Sequence, residues 1–238
     1  SSLGAGTIIT LSSHHWLLAW AGLEINTLAI IPLMAKKHHP RATEAATKYF
    51  LTQAAASAMV LFSSSINAWH TGQWDITQLS YQPASTLMTA ALIMKLGLAP
   101  LHFWLPEVLQ GTTLQTATIV ATWQKLAPMA LLLLTEQKLN PSLLMFLGTL
   151  STLIGGWGGL NQTQLRKIMA FSSIAHLGWM ITILSFSPAL TTLNLLLYIL
   201  MTLTAFLLLT STQSKTIQDL ATTWTTTPMI STMMMITV

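Results

Sequence analysis

The sequence predicts an all-α, polytopic transmembrane helix bundle in which one helix is interrupted at membrane depth. Three observations carry this. Only 7% of the 238 residues are charged and 52% are hydrophobic, whereas soluble domains carry about 25% charged residues, so the chain cannot cover a water-facing surface. Apolar runs of bilayer length recur along the chain, separated by short turns rich in Gly, Pro, Asn and Thr. One run contains Lys95-Leu96-Gly97-Leu98-Ala99-Pro100, a charge, a glycine and a proline within a turn and a half. That composition marks a discontinuous helix. There is no cysteine, which excludes disulfides and thiolate metal sites.

Nine segments follow in order. Leu3 to Ser13 is short and reads as truncated, and Trp16 to Met34 holds Glu24 near its middle and Pro32 near its end. Ala42 to Trp69 is long enough to tilt or protrude. Ser85 to Gln110 is interrupted by Pro100 and Pro106, and Leu114 to Thr135 carries Lys125 and Pro128. Ser142 to Trp157, Leu165 to Phe186 and Leu190 to Ser211 are the next three; a ninth begins at Pro228 and is unfinished. No linker is long enough to divide the chain, so residues 1–238 read as one transmembrane domain. The lack of an initiating Met and the apolar run still open at Val238 mark it as a fragment.

Loop charges fall into two sets. One holds Lys36, Lys37, Arg41, Arg166, Lys167 and Lys215, with Lys48 close by, and the other holds only Lys138. The positive-inside bias places the first set on the cytoplasmic or matrix side.

Glu24, Lys95 and Lys125 lie near the middle of otherwise apolar segments. A charge at the bilayer centre costs roughly 2.5–3.5 kcal/mol, so such residues face a protein interior or a water path and mark proton or ion routes. Each lies near a proline that frees a backbone carbonyl four residues earlier: Leu28 for Pro32, Leu96 for Pro100, Gln124 for Pro128. Thr118, Thr122 and Lys125 share one helical stripe, and Ser172, Ser173 and His176 form another. Histidine titrates near neutrality and suits a relay. An ordinary lysine holds its proton at neutral pH. Burial disfavours the charged ammonium and a nearby carboxylate favours it, so a change at the acid switches the base. The same residues also fit a static ion pair or a histidine hydrogen-bonded between helices.

Other motifs carry no chemistry. Gly155-Gly156-Trp157-Gly158-Gly159 lacks the third glycine of a phosphate loop and the preceding strand; Gly155 and Gly159 fit a small-residue helix contact. The pairs His14-His15 and His38-His39 are adjacent rather than on one helical face, which argues against metal ligation.

Four stretches point to a family: Arg41 to Gln53, Met94 to Glu107 (with Lys95-Leu-Gly-Leu-Ala-Pro and Leu101-His-Phe-Trp-Leu-Pro), Thr122-Trp-Gln-Lys-Leu-Ala-Pro128, and Gly155 to Trp179. The chain strongly resembles the subunit-two family of NADH dehydrogenase from respiratory complex I, in its vertebrate mitochondrial form. The resemblance implies an antiporter-like fold and a multi-pass place in the mitochondrial inner membrane. It also implies proton translocation driven by NADH oxidation and ubiquinone reduction elsewhere in the complex. No cofactor or metal would be bound by this chain; NADH and ubiquinone would serve the whole complex. The implied partners are the other membrane-arm subunits and lipid, not nucleic acid. Glu24, Lys95 and Lys125 fall on the family's buried glutamate and lysines, and His176 falls in its later helix. A further lysine, on a second broken helix, is expected beyond Val238, so this fragment alone should not pump. The rival readings are a stand-alone cation/proton antiporter and a purely structural membrane-arm subunit.

Overall fold

A computed structural model describes residues 1–36, 39–226, 228–229 and 232–233. These residues form eleven α-helices: α1 (Ser2–Ser12), α2 (Trp16–Ala35), α3 (Pro40–Thr71), α4 (Gln82–Leu96), α5 (Trp104–Gly111), α6 (Leu114–Ala121), α7 (Trp123–Thr135), α8 (Pro141–Leu160), α9 (Leu165–Leu184), α10 (Pro188–Thr212) and α11 (Ile217–Thr226). Four helices, α3, α4, α8 and α10, carry proline at their first or second position, where the missing N–H has no helical partner to lose.

Among the described residues, six helical stretches are long and apolar enough to cross a membrane: α2, α3, α6 and α7 together, α8, α9 and α10. The other three expected segments differ for physical reasons. The first is only the 11-residue α1. The fourth is split into α4 and α5 by the break after Leu96. The ninth, from Pro228, lies largely outside the described residues, as does Lys37 of the basic loop.

The loop charges segregate as the sequence predicts. Arg41, Lys48 and Lys167 line one cleft, and Arg166 and Lys215 line an adjoining cleft with His39. Lys138 sits in a 3-10 turn between α7 and α8, at the other end of the bundle. At the basic end, Lys48 Nζ lies 2.6 Å from carboxylate oxygens of both Glu44 and Glu107, tying α5 to α3.

Two apolar clusters fill the interior. One takes Leu23 of α2, Val60 of α3, Leu96 of α4, Ala127 of α7 and Leu177 of α9. The other takes Ile30 of α2, Tyr49 of α3, Trp104 of α5, Val120 of α6 and Ile174 of α9. The residues between these pairs include Glu24 and Asn26 on α2, Gln53 and Ser57 on α3, and Lys125 on α7. Polar side chains from several helices thus share one layer between two apolar ones.

Small residues set the helix spacing. A Cβ at Gly148 would lie 2.8 Å from the Gly178 carbonyl, and one at Gly155 would lie 2.6 Å from the Ala175 nitrogen. Gly159 makes only ordinary contact, 3.6 Å from Phe171. The close α8–α9 contact therefore uses Gly148 and Gly155, two turns apart, rather than the Gly155–Gly159 pair. Gly155→Leu should destabilise the full-length protein by about 1–3 kcal/mol through overpacking. Gly156→Ala, with open space at its Cβ, should be neutral or slightly stabilising. Unfolding in detergent, followed by circular dichroism, checks both.

Candidate functional site

The site is built on a helix end inside the membrane-spanning region. Gly97 takes φ 78° and ends α4 at Leu96, a left-handed conformation that glycine adopts without a Cβ clash. The last carbonyls of any helix lack intrahelical donors, and an unpaired carbonyl in an apolar layer costs several kcal/mol.

Each of them finds a donor. The Ile93 carbonyl accepts from the N–H groups of Gly97 (3.0 Å) and Leu98 (3.1 Å). The Met94 carbonyl accepts from the indole N–H of Trp104 at 3.2 Å, across the break. The Lys95 carbonyl accepts from the Gln53 amide at 3.4 Å. The Leu96 carbonyl accepts from the Lys125 ammonium. The Leu96 carbonyl lacks a helical donor, as expected, but not because of Pro100: α4 has already ended before Gly97, and Pro100 lies in the turn before α5. That turn is anchored by the Ala99 N–H, which donates to Ser151 Oγ of α8 at 3.0 Å.

Lys95 is buried, at 4% exposure. Its ammonium donates to Ser57 Oγ at 2.8 Å, and Ser57 Oγ donates to Glu24 Oε2 at 2.6 Å. The expected Glu24–Lys95 pair is therefore joined through a hydroxyl rather than by direct contact. Both distances lie within the range for proton transfer between heavy atoms.

Lys125 is 1% exposed, and its Nζ lies 5.5 Å from the Trp104 ring centroid, a cation–π distance. Between the two lysines lies a cavity of about 10 Å³ lined by Asn26, Gln53, Trp104 and Gln124 among others, the space of about one water molecule. Gln124 closes one side by donating to the Asn26 carbonyl at 3.2 Å.

A second break, at Thr122, separates α6 from α7. The Lys125 N–H bonds the Thr122 carbonyl at 3.2 Å, a tightened turn, and the Ala121 carbonyl accepts instead from the Tyr198 hydroxyl at 2.8 Å. Pro128 lies inside α7, and Pro32 inside an uninterrupted α2. The hydroxyls of the two expected stripes turn back onto their own helices: Thr118 to Leu114, Thr122 to Thr118, Ser172 to Met169 and Ser173 to Ala170. His176 is on an exposed face of α9 and is not brought together with the lysines. Its ring lies 5.9 Å from that of Tyr198.

Four participants went unassigned in the sequence: Gln53, Ser57, Trp104 and Tyr198. A signal existed for the first two. Gln53, Ser57, Ser64 and Asn67 are all buried and fall with Val60 on one four-three-four-three stripe of α3.

Fold and site together define a multi-helix membrane protein of the antiporter-like fold, with paired lysines at a broken helix. A family model described as NADH:quinone oxidoreductase/Mrp antiporter, TM, matches residues 13–238, and the chain belongs to that family. It is 64% identical over 231 residues to NADH-ubiquinone oxidoreductase chain 2 of Salmo salar, covering 97% of this chain and 66% of the relative. The Squalus acanthias protein of the same name is 62% identical over 237 residues, covering 100% and 68%. The chain thus spans about two thirds of the length of these relatives. A chain of respiratory complex I from Thermus thermophilus with bound aureothin superposes with a TM-score of 0.86 at 31% identity, over 96% of this chain and 55% of that one. A chain of the Mrp complex from Dietzia sp. DQ12-45-1b, at 18% identity, shares the fold with a TM-score of 0.82 over 87% of this chain and 43% of its own.

Trp104→Phe keeps the ring near Lys125 and removes the indole N–H from the Met94 carbonyl. It should destabilise by about 0.5–1.5 kcal/mol, the net worth of one hydrogen bond, because the Met94 carbonyl keeps the Gly97 N–H at 3.2 Å. Amide exchange of the full-length protein should quicken in residues 97–103 and stay unchanged in α3; unaltered exchange at the break would contradict the bridging role.

Proposed function

We propose that this chain is a proton-translocating membrane subunit of an NADH:ubiquinone oxidoreductase of the mitochondrial inner membrane, with its basic end toward the matrix. The family and the 61–64% identity to vertebrate proteins of that name support this reading. NADH and ubiquinone would be used by the assembled enzyme on other subunits, and the membrane arm and lipid would surround this one.

The observation that carries the proposal is the Glu24–Ser57–Lys95 chain beside the break. With Glu24 ionised, the Ser57 hydroxyl donates to the carboxylate and accepts from the Lys95 ammonium. With Glu24 protonated, the acid donates to Ser57 Oγ, whose own proton turns toward a neutral Lys95 amine. Two concerted hops interconvert the states: one proton leaves Lys95 for Ser57 as another leaves Ser57 for Glu24. Charge is conserved and no other reactant is needed. An outside event that shifts the charge on Glu24 therefore loads or unloads Lys95. Onward transfer to Lys125 runs through the small cavity between the lysines. Lys125 donates to the Leu96 carbonyl at the C-terminal end of α4. His176 enters only at the periphery, through its ring contact with Tyr198.

In the assembled complex, Lys95→Ala should abolish or sharply cut pumping while assembly persists. Ser57→Ala should slow proton translocation at least about tenfold, within the usual effect of a lost proton-transfer group, and Ser57→Thr should restore most of it. A Ser57→Ala complex that keeps the full proton-to-electron ratio would sink the relay.

A further inference from the structure

We propose that the cleft between α6, α9 and α10 at the basic end seats the phosphate of an anionic phospholipid. The cleft is lined by His39, Arg166 and Lys215, with the hydroxyl residues Thr113, Thr210 and Ser214. No carboxylate lines it among the described residues. The neighbouring cleft shares Gly111 and contains both Glu44 and Glu107, whose charge would repel an anion; Lys48 is already committed to both carboxylates at 2.6 Å. The acid nearest in sequence, Asp219, accepts from the backbone N–H groups of Lys215 (3.0 Å) and Thr216 (2.9 Å) and does not line the cleft. These hydrogen bonds hold its carboxyl below the ordinary aspartate range.

The guanidinium is held in place for recognition. Arg166 Nη1 donates to the Thr112 carbonyl at 2.6 Å. That fixes the group against the cleft wall and leaves further N–H donors of the five for an oxyanion. The cleft sits where a membrane-spanning stretch begins at Leu165 and another ends at Thr212, the level of lipid headgroups. Basic pockets between helices on that side suit anionic headgroups.

A lipid fits better than a free anion because the cleft opens onto an apolar track. Thr210 lies three residues after Leu207 on α10, and Leu207, Leu200, Leu196 and Leu193 are 64%, 61%, 65% and 54% exposed. Their spacing puts them on one side of the helix. An acyl chain lying there would place its phosphodiester in the cleft. This site is independent of the proton route.

The test uses the full-length protein in phosphatidylcholine vesicles containing a photoactivatable phosphatidylglycerol, with labelled peptides mapped by mass spectrometry. Labelling should concentrate in residues 112–116 and 207–217. Lys215→Gln, an exposed side chain whose loss leaves the fold intact, should cut it roughly fivefold, and adding Arg166→Gln should cut it by roughly as much again. Lys138→Gln at the opposite end should leave it unchanged. Equal labelling by a zwitterionic phosphatidylcholine probe, or labelling indifferent to Lys215, would overturn the proposal. So would displacement of the probe by inorganic phosphate alone, which would identify a small-anion site instead.

Discussion

A helix that stops inside the protein interior leaves carbonyls with no intrahelical donor. That constraint organises this protein. Once Gly97 turns α4 off at Leu96, donors must arrive from elsewhere. They come from α3 as Gln53, from α5 as Trp104 and from α7 as Lys125. Three helices are thereby drawn to one point, each bringing a polar group that an all-apolar packing would exclude. The lysine that serves as a cap is also one of the two buried amines, so structure and proton chemistry draw on the same contact.

The layer between the two apolar clusters gives that contact its function. Above and below it the interior is built of buried apolar side chains. Within it lie Glu24, Ser57, Lys95, Gln53 and Lys125. A buried charge is tolerated only with partners, and here each lysine has a defined one: a hydroxyl for Lys95 and a carbonyl for Lys125. The two environments differ in kind. The hydroxyl both gives and takes a proton, while the carbonyl only accepts. Lys95 is therefore coupled to an acid through an exchangeable proton, whereas Lys125 is held by a fixed dipole.

Much of this was legible in the sequence, because membrane physics writes in long runs. The long apolar spans, the interruption after Lys95, the segregation of basic loops and the burial of Lys95 and Lys125 follow from composition and periodicity. The finer features escaped for specific reasons. Ser57 is one of many Ser and Thr residues in the chain, and most such hydroxyls here bond their own helix backbone, so a single one that does not leaves little local mark. Its place on the Gln53–Asn67 stripe was the available clue. The break at Thr122 carries no glycine or proline of its own; it depends on Tyr198, some 77 residues away in sequence. His176 sits centrally along α9, but a helix that is apolar nearly all round does not disclose which side faces inward, and this one turns the histidine outward.

The most direct test is a water-resolving electron cryomicroscopy map of the full-length chain in its native complex. The expected result is the Lys125 ammonium on the Leu96 carbonyl and the Ser57 oxygen within hydrogen-bonding reach of both Glu24 and Lys95. A map with the Leu96 carbonyl bonded only to water or backbone, and Lys125 turned toward the headgroups or acyl chains, would contradict it.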